Sequence, residues 1–141
     1  MKNFFKVVGA SGLLCLLFAM SASAQIVDGL TFTTTFAFYA GNTKLPAGSY
    51  KITASNLDEA MLLIADARGT HSAFLDFTPT QAASAHAASD VTFKKYGNVD
   101  FLSRCWVGGQ QFGMQMEITK FEQSLAKSGT PTTHSVAAKG Q

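Results

Sequence analysis

From Leu30 onward, hydrophobic and polar residues alternate with a period of two in several short stretches. Leu30, Phe32, Phe36 and Phe38 fall on one parity and Thr31, Thr33, Thr35 and Ala37 on the other, the signature of a half-buried strand. This predicts one strand over 31–38 with Phe36 facing inward. Gly41-Asn42 and Pro46-Ala47-Gly48 supply the turn, and Tyr50 and Ile52 resume the alternation. A lone hairpin is marginal in water, so later strands must extend it.

The pattern then continues in short segments. Asn56–Glu59 reads as a turn, and the run AMLLIA over 60–65, apolar on both parities, suits a strand covered on both faces. His71 to Phe77 alternates again. Thr78 to Ser89 is small, Ala-rich and aperiodic, and is expected to be a long mobile loop. Asp90–Tyr96 and Asp100–Val107 form a second hairpin closed by Gly97-Asn98. Within it Cys105 is expected to be a small buried hydrophobe, sharing a face with Phe101, Ser103 and Val107.

From Phe112 a strand or coil is expected to about Met116, followed by a helix to about Lys127. Met114, Ile118, Phe121 and Leu125 make one helical stripe, which should cover one end of the sheet. The segment 128–141 carries no apolar pattern and is expected to be disordered. The fold expected is therefore all-β: a small antiparallel sandwich or barrel of about six to seven strands with a short C-terminal helix. It occupies 25–127 as a single domain.

Residues 1–24 stand apart from this pattern. Lys2 and Lys6 precede an apolar run over 7–20, and Ala22-Ser23-Ala24 offers small residues for cleavage, so the segment reads as a secretory signal peptide. Secretion or export to the periplasm is expected, with no membrane span after cleavage. Removing the signal also changes the charge. Eleven basic residues fall to nine (11 − 2, for Lys2 and Lys6) against nine acidic ones, so the formal net charge drops from +2 to zero. A neutral chain has no bulk field to gather nucleic acid or an anionic membrane surface. Cysteine use simplifies in the same way. Cys15 leaves with the signal, and Cys105 alone cannot form an intramolecular disulfide.

Several phrases together resemble a family of short, uncharacterised secreted bacterial proteins. They are the aromatic Phe-x-Phe strand, Gly-Asn-x-x-Leu-Pro-Ala-Gly-x-Tyr at 41–50, Tyr-Gly followed by Phe-Leu-Ser at 96–103, Trp106, and Glu-x-x-Leu-Ala at 122–126. The resemblance implies secretion and a small β fold, and it implies no activity. Asn98 stands where that pattern would place an acidic residue.

No stretch of the sequence carries a catalytic frame. G-x-S-x-G is absent, and Ser49 opens a strand after a Pro-Gly turn. His71, His86 and His134 are widely separated, so no metal site and no cofactor is read from them. Asp66, Asp76, Asp90 and Asp100 lie near strand ends, where solvated charges normally sit. Of the twelve Phe, the nine beyond residue 24 suit a packed core better than a ligand cavity. No catalytic or binding residue is singled out, and catalysis is not the expected role. What remains is a monomeric, non-catalytic module binding a small ligand or a surface partner, with a structural or self-associating envelope protein as the alternative.

Overall fold

A computed structural model describes residues 29–55 and 61–140. The expected signal peptide and cleavage point, and the turn at 56–59, lie outside the described residues. In chain order the strands are β1 (Leu30–Thr34), β2 (Phe38–Ala40), β3 (Thr43–Leu45), β4 (Gly48–Ala54), β5 (Met61–Asp66), β6 (Ser72–Gln81), β7 (Asp90–Tyr96), β8 (Val99–Trp106) and β9 (Phe112–Met116). Helix α1 (Lys120–Ala126) and strand β10 (Thr132–Gly140) complete the chain.

Eight strands close on themselves in the order β8-β7-β10-β1-β4-β5-β6-β9, with β9 returning to β8, and all neighbours in this ring are antiparallel. The expected all-β architecture is thus a barrel, with more strands than the six to seven read from the pattern. The β2–β3 hairpin is extra. It joins the ring through a parallel contact, Tyr39 opposite Phe101, beside the half of β8 that β9 leaves unpaired.

The inward parity is set largely as the alternation requires. Leu30 and Phe32, Tyr50 and Ile52, Leu62 and Ile64, Ala73 and Leu75, Val91 and Phe93, and Met114 and Met116 are all buried in one core. Phe32, Phe38, Tyr50 and Phe93 pack with ring centroids 5.2–6.2 Å apart, so aromatic rings fill the barrel. Each such pair adds about 0.5–1.5 kcal/mol beyond its buried area.

Several local expectations are corrected. The first strand does not run through 38: β1 stops at Thr34, whose Oγ1 donates to the Phe36 carbonyl at 3.0 Å, and Phe36 is left partly buried between β1 and β2. The segment expected to be a mobile loop begins as strand, because β6 continues to Gln81 against β9. β5 has ended by then, so Pro79 sits where β6 has a single partner, as a proline in a strand requires.

The tail expected to be disordered supplies β10, which bridges β7 and β1 and closes the ring. Its inward residues, His134, Val136 and Ala138, stand opposite Phe93, Val91 and Phe32. Finally, a bulge in β8 places Leu102 opposite Phe93 and Cys105 opposite Val91, with Ser103 as the extra residue. Leu102 and Cys105 therefore both join the core, while Phe101 turns to the outside and packs against Tyr39 and Phe121. Cys105 is fully buried, as expected, although not in company with Phe101.

The strand-then-helix reading after Phe112 agrees with β9 and α1, but the buried helical face differs. Ile118 and Phe121 stay substantially exposed and Glu122 is buried, hydrogen-bonded by the Tyr96 hydroxyl at 3.1 Å. Thr119 caps the helix by accepting from the Glu122 amide at 3.2 Å.

Candidate functional site

The register gives the barrel two ends. The Gly97-Asn98 turn, the β5–β6 turn and the starts of β4 and β10 lie at one, called here the mouth. The loop over 82–89 and the turn over 107–111 lie at the other, the base.

At the mouth, inward parity on β8 and β10 points Asp100 and His134 toward the barrel axis, on either side of β7. His134 Nε2 lies 2.6 Å from Asp100 Oδ1. The Asp100 side chain is only 6% exposed and the imidazole 37%, so the acid is the buried member of the pair. A buried carboxylate is costly unless it is paired, and here one imidazole provides the partner. The ring of His134 stacks on Phe93 at 5.6 Å, and Phe36 meets both rings edge-on at 5.1 Å. The break between β1 and β2 is what frees Phe36 to stand over this pair.

Beside the pair is a cleft of about 270 Å³, lined by the run Phe36–Tyr39, by Lys44 of β3, by Lys95, and by Asn98–Asp100. The glycine of the turn has φ 60°, which suits the first central position of a tight two-residue hairpin loop and keeps Asn98 at the rim. Chemically the arrangement offers two ammonium groups, a carboxamide and an oriented imidazole against an apolar wall. No serine, threonine or cysteine hydroxyl or thiol bonds His134 among the described residues, so the pair lacks a nucleophile. Cys105 cannot serve, since burial, and secondarily the charge of Asp90, pushes its thiol up to about 12.

At the base a second imidazole is held differently. His86 lies flat on Trp106, with centroids 4.2 Å apart and planes 12° apart, and its Nδ1 is 3.0 Å from Asp90 Oδ2. Backbone bonds from His86 to Gln110 and from Gly109 to His86 join this loop to the 107–111 turn. A Cβ at Gly113 would lie 2.5 Å from Trp106 Cε3, so glycine there lets the indole lie close to β9. His71 is also paired, 3.0 Å from Asp66 Oδ2, in the exposed β5–β6 turn. A hydrogen bond from Thr70, supported by His71, holds the Asp66 carboxyl down at about 2.

A further concavity, an open groove of about 630 Å³, lies over Phe32, Tyr50 and Val136, flanked by Thr31, Thr33, Ser49, Lys51 and Lys139. It follows the seam where β1 and β10 pair through only three residues, Leu30 to Phe32.

The histidines read as isolated are thus each joined to an aspartate from the set near strand ends. Asp90 follows His86 by four residues, a spacing visible in the sequence. Asp100 and His134 are 34 residues apart and carried no local signal. Among the described residues no group of three or more His, Cys, Asp or Glu side chains could hold a metal ion, and no helix is long and apolar enough to cross a membrane. Comparison with protein-family models, curated proteins and solved structures finds no match.

Proposed function

We propose that the chain is an exported, non-catalytic β-barrel module that binds a small ligand at its mouth. The observation that carries this reading is the Asp100–His134 pair: a buried carboxylate, held by a part-exposed imidazole, beside a cleft with two lysines. Charged groups are retained in a barrel interior at a cost in desolvation, and they concentrate where a protein meets a ligand. The missing nucleophile favours binding over turnover. Export is supported by the cleavable leader read in the sequence and by the resemblance to secreted bacterial proteins.

Native mass spectrometry of the protein from its own secretion fluid tests the reading. A retained small-molecule mass, lost on replacing Asp100 by Asn, is the expected result. A bare monomer that binds nothing in solution would count against it. A homodimer mass would favour the second reading, self-association, for which the unpaired outer edge of β3 and the exposed Phe74 offer surfaces.

A further inference from the structure

Resting on the reading of the mouth as a binding site, we infer that its ligand is a small organic anion, a carboxylate or phosphate monoester with a flat apolar body. Lys44 and Lys95 are far apart in sequence, yet the parallel contact of β2 with β8 sets both at one cleft of about 270 Å³. A single acid shares this space. Asp100, bonded to His134 at 2.6 Å, offsets at most one ammonium group, so two lysines against one acid leave the cleft with net positive charge. Glu122 of α1 does not line the cleft; it is buried and bonded by the Tyr96 hydroxyl. Asn98 at the rim adds a neutral donor without repelling an anion.

The overall field does not supply this preference, because the chain without its leader is neutral. The local pair of lysines does. An ammonium group gives an oxyanion a charge-assisted hydrogen bond, about twice as strong as a neutral one. Phe36, partly buried and fixed edge-on to Phe93 and His134, presents an apolar wall beside the cations. A head group that is only an ion would leave that wall uncovered; an aromatic or short aliphatic body would cover it.

Backbone amide shifts in two-dimensional NMR, followed on the purified protein during titration, test the inference with four probes: benzoate, phenyl phosphate, inorganic phosphate and uncharged benzamide. Benzoate, phenyl phosphate or both are expected to give saturable shifts at Phe36–Tyr39 and Asn98–Asp100, and whichever binds tighter identifies the head group. Lys44→Gln and Lys95→Gln should each weaken that binding about tenfold, at unchanged melting temperature, since one charge-assisted bond is worth about that factor.

Benzamide binding as tightly as benzoate would keep the mouth as a binding site and overturn the anionic class. Inorganic phosphate binding as tightly as phenyl phosphate would overturn the organic body. Unchanged affinity in both lysine variants would overturn the role of the cleft. No saturable shift with any probe would overturn the inference and remove its foundation together.

Discussion

The two ends of the barrel carry the same three-part device, an imidazole lying against an aromatic ring and bonded to an aspartate, and they use it differently. At the base, His86 lies on Trp106 and reaches Asp90 on the outside of the sheet, with imidazole and carboxylate exposed to similar extents. There it clasps a loop. At the mouth, His134 lies on Phe93 and is part-exposed, while its partner Asp100 is buried at the edge of the cleft. The same His–Asp pairing therefore gives a structural clasp in one place and a candidate binding site in the other. Burial of the acid, together with the lysines beside it, makes the difference.

The largest expected effect comes from removing the ring beneath the mouth imidazole. Phe93 is fully buried and touches Phe32, Phe36, Phe38 and His134, so Phe93→Ala should cost about 3–5 kcal/mol in chemical denaturation. Phe36→Ala should cost clearly less, because Phe36 is only partly buried; equal losses would show that the mouth is packed as tightly as the core.

Next is Gly113→Ala at the base, where the added methyl must displace Trp106. A loss of about 1–3 kcal/mol is expected, with faster proteolysis of the 82–89 loop and no change at the mouth resonances. Shifts at His134 in this variant would join the two ends into one coupled unit.

Asp100→Asn and Asp90→Asn compare the two devices directly. The buried member should lose about 1–3 kcal/mol and the more exposed one under about 1 kcal/mol. A larger loss at Asp90 would reverse the assignment of clasp and site.

The smallest effect is tied to Cys105, which lies under the base end. Its thiol is raised from about 9 to about 12 in the folded state, so the unfolded chain releases the proton first. The resulting stability is fully present below pH 9 and declines as pH rises toward 12. Cys105→Ala should flatten that alkaline slope, and the native thiol should resist alkylation until the protein unfolds. Rapid labelling of the folded protein at neutral pH would contradict the burial.

Much of the barrel wall was legible in the chain because alternation is a local property: the inward parities of β1, β4 and β7 follow from Phe32, Ile52 and Phe93 and their neighbours. The Gly97-Asn98 reversal and the change from strand to helix after Met116 were legible for the same reason, since turn geometry and helical spacing act over a few residues.

Closure was not. The segment 132–140 carries no apolar run, and it is a strand because β7 and β1 both present unpaired edges that it alone satisfies. The bulge that turns Phe101 out and Leu102 in answers to β7, a neighbour across the sheet. The meeting of Asp100 with His134 depends on the closure by β10 and on the register of β8. Local sequence determined which residues face inward along each strand; only the closing of the ring, a long-range hydrogen-bonding requirement, decided which of them meet at the mouth.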